Sequence, residues 1–145
     1  MWVLSGHYQG ERNFTFEGLE AARNRRNNWR ERIALCYQKD VKATNGVFDK
    51  VLEAASNNLN SAEAFAVIDG SELSLSDWQK VDELFGLRLI ADTPDIAPKM
   101  YDLIRERDKT RTEKNYARSD EIRDELTTRG VGIRDTTDGG VWYYL

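Results

Sequence analysis

The sequence predicts a mainly α-helical protein: a bundle of about five antiparallel helices followed by a small C-terminal β-hairpin. Three observations carry this. Apolar residues recur at spacings of three, four and seven over most of the chain. There are only two prolines in 145 residues, and charged residues make up 32%. After Gly130 the pattern changes, and two short apolar runs flank a polar turn, 136–139.

The elements follow in order. Residues 1–8 read as the closing turns of a helix ended by Gly10. Thr15 is placed to cap a long helix, with Glu17 in its first turn. Leu19, Ala22, Trp29, Ile33 and Cys36 mark its buried face, interrupted by Arg26. Arg23, Arg25, Arg26, Arg30 and Arg32 lie on the same helix. They form either a phosphate-binding ridge or a solvated face whose stems lie over the core edge. A polar connection leads to a helix from Val47 to Ala55, with Val47, Phe48, Val51, Leu52 and Ala55 inward. Asn60 with Glu63 has capping-box spacing and starts a helix running to about Asp69 through Ala62, Phe65, Ala66 and Val67. Ser74 or Ser76 caps a helix over 75–85, with Trp78, Val81, Leu84 and Phe85 inward and Gly86 as its stop. Residues 87–95 read as a linker. One last helix begins at Pro98 and continues to about Leu126. From Arg105 to Asn115 it has no apolar residue, which is the pattern of a solvated or partner-seeking helix. In the hairpin, Val131 and Ile133 share one face of the first strand. Val141 and Tyr143 lie opposite Trp142 on the second. A domain boundary falls between a bundle, 1–96, and an appendage, 97–145.

Composition narrows the function. The net charge is −4, which disfavours indiscriminate nucleic-acid binding. The acidity sits in the middle, with five basic and eleven acidic residues over 39–97. The last 48 residues balance at ten of each, so a nucleic-acid surface falls at an end of the chain. The single cysteine, Cys36, excludes an internal disulfide and fits a reducing, cytoplasmic setting. No apolar run is long enough to span a bilayer, and residues 1–10 lack the pattern of a secretory signal. His7 and Cys36 are too few and too far apart for a metal site or a nucleophile–base pair. Both read as structural residues, and no glycine-rich phosphate loop is present.

Residues 111–142 do have the side chains for reading single-stranded RNA. Tyr116 offers a flat surface for an unstacked base. Asp120, one turn on along the same helix face, can accept from guanine N1/N2 or cytosine N4, and Asp135 can do the same for a neighbouring base. Arg111 and Lys114 can reach phosphates. The same residues also permit a plainer reading. Asp120 and Asp124 can pair with Arg123 or Lys114 along the helix, and Asp135 can serve a turn.

This stretch resembles the C-terminal end of cysteinyl-tRNA synthetases. There a helix of the form A-x-x-D-x-I-R-D-E-L-x-x-x-G runs into V-x-I-x-D-T-x-x-G-x-x-W. Ala117, Asp120, Ile122, Arg123, Asp124, Glu125, Leu126, Gly130, Ile133, Asp135, Thr136, Gly139 and Trp142 fit it. Two earlier segments are also similar to the family. Ser5, His7 and Tyr8 with Asn13, Phe14 and Thr15 match a segment before a bundle helix, although Gln9 and Arg12 depart from it. Residues 58–66 match a helix start. The resemblance implies a class I synthetase-type helical bundle with an anticodon-recognition appendage. It implies that Arg111, Tyr116, Asp120 and Asp135 contact the GCA anticodon of the cysteine tRNA. The family's aromatic at the Tyr116 position is often tryptophan. Lys114, Arg118, Arg134, Trp142, Arg23 and Arg30 are secondary candidates for the tRNA backbone.

The parent enzyme would then be a cysteine–tRNA ligase. It would join L-cysteine to its tRNA with ATP, and it would carry ATP and zinc in a catalytic domain outside this sequence. This chain would hold no cofactor, would be inactive alone, and would be a monomer with the tRNA and that catalytic domain as partners. The alternative is a helical protein-interaction module with no RNA role. It would use the acidic middle and the polar helix 105–115 as its surfaces.

Overall fold

The computed structural model describes residues 1–6, 13–137 and 139–145. His7, Tyr8 and the Gly10 stop of the first predicted helix lie outside them. These residues form two compact units, Met1–Asp92 and Thr93–Leu145.

The first unit opens with a single 3-10 turn, Val3–Ser5. Four helices follow: α1, Phe16–Gln38; α2, Val47–Ser56; α3, Ser61–Asp69; and α4, Leu75–Phe85. Local chemistry sets their ends. The Thr15 hydroxyl accepts the Gly18 N–H at 3.0 Å. The Asn60 carbonyl oxygen accepts the Glu63 N–H at 3.1 Å. Ser74 and Asp77 form a reciprocal capping box, so Ser74 is the cap and not Ser76. Gly86, at φ +62, takes the left-handed stop.

The core of this unit is built on Trp29, Phe65 and Trp78, all fully buried. Trp29 meets Phe65 edge to face at 5.0 Å, and its indole N–H donates to Asp69 at 2.6 Å. Ile33, Val51, Ile68, Val81 and Leu89 complete the cluster. Several inward assignments are corrected. Leu19, Leu52 and Leu84 are exposed, Ala66 is exposed, and Ala34, Ala54, Ala64 and Ile68 are buried instead. In the short helix SAEAFAVID the run from Ala64 to Ile68 is apolar at every position, so the sequence names no face there; packing on the neighbours chooses one. The segment read as a linker is partly core. Asp82 accepts the N–H groups of Leu89 and Ile90 at 2.8 and 3.0 Å, which pins Leu89 inside.

The second unit contains α5, Pro98–Thr112, and α6, Tyr116–Thr128. The strands β1, Val131–Thr136, and β2, Gly139–Tyr144, follow. The described residues thus hold six α-helices and one antiparallel hairpin. The mainly α class stands, with one more helix than expected. The expected single last helix is broken. Lys114 takes φ +61, and the Asn115 side chain caps α6 by accepting the Arg118 N–H at 3.3 Å. α6 folds back on α5, and their shared face holds Leu103, Ile104, Ser119, Ile122 and Leu126. Gly130, at φ +79, turns the chain into β1.

The register pairs Ile133 with Trp142 and Asp135 with Gly140. Trp142 therefore shares the inner face with Val131 and Ile133, at 1% exposure. Its indole N–H donates to the Tyr101 hydroxyl at 3.4 Å. That hydroxyl itself donates to Asp95 at 2.6 Å. Burial and the Asp95 hydrogen bond push the Tyr101 phenol up to about 12.

Candidate nucleic-acid interface

The corner where α5, α6 and β1 meet is organised by Arg107. Its side chain is 0% exposed. The guanidinium grips Asp135 with two parallel bonds, Nη1 to Oδ1 at 2.7 Å and Nη2 to Oδ2 at 3.1 Å. Nη1 also reaches Asp108 Oδ1 at 3.3 Å, and Asp108 Oδ2 accepts the Gly140 N–H at 3.1 Å. A side chain at Gly140 would crowd this arrangement, because a Cβ there would lie 3.0 Å from Asp108 Oδ1 and 3.1 Å from Ile133 Cγ2. The helix and the hairpin are thus tied together by ions across the corner.

Two further arginines face the same carboxylate more loosely. Arg111 Nη2 lies 3.5 Å from Asp135 Oδ2, and Arg123 Nη2 lies 3.8 Å from it. Arg123 also reaches Asp120 at 3.7 Å. The Arg107 hydrogen bond, helped by the nearby charges of Arg111 and Arg123, holds the Asp135 carboxyl below its ordinary value. Partial burial opposes this and loses. The Arg107 guanidinium is pushed up by the same bond. Asp135 thus stays ionised and can only accept hydrogen bonds, while 43% of its side chain remains exposed.

Of the four main candidates, Arg111, Asp135 and Asp120 are linked in one chain of charges through Arg123. Tyr116, the first residue of α6, stands one turn before Asp120 and is 58% exposed. Among the described residues it makes no hydrogen bond or ring contact. An exposed ring followed by a carboxylate on one helix face, beside a second fixed carboxylate, can stack one base and accept from its neighbours.

The secondary candidates are placed differently. Lys114 sits in the turn between α5 and α6, not on a helix. Arg118 is held between Glu106 and Glu121 at 2.9 and 3.0 Å, and these bonds raise its pKa. Arg134 lies over the Tyr143 ring at 5.3 Å, on the hairpin face away from Trp142. Trp142, also a secondary candidate, is corrected: it is buried on the inner face of the hairpin with its ring packed edge to face on Tyr144.

The arginines of α1 serve the first unit. Arg25 and Arg32 bind Asp69 and the Ile68 carbonyl at 2.9 and 3.0 Å, and Arg32 also reaches the Ser71 carbonyl. Arg26 pairs with Asp92, and Arg30 donates to the Asp92 carbonyl at 2.9 Å. Among the described residues Arg23 pairs only with Glu20, on the surface at 3.4 Å. Four of the five are thus lashings within the unit, not a free ridge. Cys36 is half-buried, and burial pushes its thiol up.

Arg107 and Asp108 were not singled out from the sequence, yet a signal exists. Arg107 follows Leu103 by four and Ile104 by three, and Thr110 comes three later, so it lies on the buried stripe of α5. A cation at such a position demands an anion from elsewhere in the fold.

Residues 93–143 match the family described as the cysteinyl-tRNA ligase anticodon binding domain. The match covers nearly the whole second unit, which is about a third of the chain. The rest of the chain extends the similarity to one kind of enzyme. A cysteine–tRNA ligase of Finegoldia magna is 26% identical over 98% of this chain and 36% of its own length. That of Campylobacter concisus is 27% identical over 97% of the chain and 36% of its own length. That of Chlamydia muridarum is 29% identical over 94% and 36%. The chain thus spans about a third of the length of these relatives. The resemblance drawn from the sequence is borne out: the matches support a C-terminal piece of a cysteinyl-tRNA synthetase.

Proposed function

We propose that the unit Thr93–Leu145 reads the GCA anticodon of a cysteine tRNA. One observation carries the reading. An exposed aromatic, Tyr116, precedes the exposed Asp120 by one helical turn. A second carboxylate, Asp135, is held ionised beside Arg111 and Arg123. Tyr116 stacks on an unpaired base. Asp120 and Asp135 accept from the N–H groups of base edges, which guanine and cytosine offer. Arg111 and Lys114 take up backbone phosphate, and Arg123 leaves its carboxylates as bases arrive. The first unit contributes a scaffold whose own arginines are mostly committed internally.

The longer protein joins L-cysteine to this tRNA with ATP, through a cysteinyl-adenylate, and does so in the cytoplasm as a monomer. Among the described residues no three His, Cys, Asp or Glu side chains come together as a metal site. No helix among them is long and apolar enough to cross a membrane. We assign the adenylate chemistry and its zinc to the remainder of that protein, with no aminoacylation by this chain alone.

The test is a titration of the chain with the cysteine tRNA and with the same tRNA carrying a changed anticodon. The cysteine tRNA should bind more tightly. Asp120→Ala should lose about 1–3 kcal/mol of that preference, and Tyr116→Ala about the same amount of affinity, both with an intact fold. Equal, purely salt-dependent binding of both tRNAs would sink the reading in favour of an interaction module without RNA specificity.

A further inference from the structure

We propose that Arg107 is a positioning residue for base discrimination, acting on the anticodon only through Asp135. The proposal rests on the anticodon reading above and assigns a role within it to a residue that RNA cannot touch. The Arg107 side chain is fully buried, so it makes no contact with a base. Its two bonds at 2.7 and 3.1 Å fix both the position and the plane of the Asp135 carboxylate. A single ammonium could fix the position but not the plane.

The plane matters because a base edge presents its N–H donors in a fixed direction. A carboxylate free to rotate accepts from many edges, whereas a clamped one accepts best from those that meet its outward lone pairs. Asp108 accepts from the same Nη1 and also from the Gly140 N–H, which ties the β2 backbone to the clamp. Among the described residues Arg107 Nε is buried without a hydrogen-bond partner, so the two Nη atoms make the whole grip on Asp135. The longer pairs to Arg111 and Arg123 lie on the exposed side and can give way to RNA, while the clamp stays.

The experiment uses the 145-residue chain and two anticodon stem-loop RNAs, one with GCA and one with its first base changed. The quantity read is the ratio of the two dissociation constants. Asp135→Asn, Arg107→Met and Arg107→Lys are compared singly, and each Arg107 variant is combined with Asp135→Asn. Arg107→Met should lower the ratio about tenfold, and Arg107→Lys by less. In the Asp135→Asn background either change should alter the ratio less than twofold. An unchanged ratio in Arg107→Met, or a full further loss in the double variant, overturns the proposal while leaving the anticodon reading intact. A wild-type ratio of one removes both.

If Arg107→Met does not fold, the lysine variant and the wild-type Asp135 carboxyl carbon signal decide. That carboxyl should titrate below the ordinary aspartate range, and titration within the ordinary range overturns the clamp.

Discussion

Replacing Asp135 by Asn keeps the shape of the side chain and removes its charge. Arg107 would then be a buried cation with Asp108, 3.3 Å away, as its remaining anion. Removing one member of a fully buried pair costs about 3–5 kcal/mol. Here 43% of the Asp135 side chain is exposed, and Asp108 supplies part of the lost field. Solvent screening then reduces the expected cost to about 2 kcal/mol. The matching control is Asp120→Asn. Asp120 is 65% exposed and 3.7 Å from Arg123, so its loss should cost below about 0.5 kcal/mol. The two carboxylates are thus separated by stability even though both are assigned to base reading.

Native-state amide exchange of the β1–β2 amides measures the cost where it arises. pH supplies a second arm. The Asp135 pKa is lowered in the folded state. Its contribution is therefore fully present above the unfolded-state value and is lost as pH falls through the lower, folded value. Over about pH 5 to 2, hairpin stability should fall more steeply in the wild type than in Asp135→Asn. Parallel slopes, or equal costs for the Asn variants at 120 and 135, would refute the buried-clamp account.

Two further outcomes are expected. Trp29→Ala should cost about 3–5 kcal/mol by urea denaturation, since it empties the centre of the first unit and leaves Asp69 without its indole donor; a loss under about 1 kcal/mol would mean that the cluster is not the core. Gly140→Ala should destabilise the hairpin by about 1–3 kcal/mol through overpacking, because its Cβ would meet Asp108 and Ile133 at 3.0 and 3.1 Å; unchanged amide exchange would show that the approach is slack.

Much of this was legible in the residues. Capping is local chemistry, so Thr15, Asn60, Pro98 and Gly86 mark helix ends from sequence alone, whereas the choice between Ser74 and Ser76 needed the observed capping box. The hairpin follows from a period of two after Gly130, but only the register, Ile133 opposite Trp142, shows that Trp142 is on the inner face. Tyr116 and Asp120 share a face because they are one turn apart on a helix, whatever surrounds them. Which side of a short apolar helix is buried was not legible, as Leu52 and Ala54 show; the partner across the interface decides it.

The helix break at Lys114 was also hidden. A lysine in the left-handed region costs energy that only the return packing of α6 on α5 repays. The same holds for Asp135. Its sequence neighbours mark it as a strand-end carboxylate, suited equally to a turn or to a base. Only the fold brings Arg107, 28 positions earlier, underneath it. An ion pair over that separation has no sequence period, and its strength comes from burial that the whole corner creates.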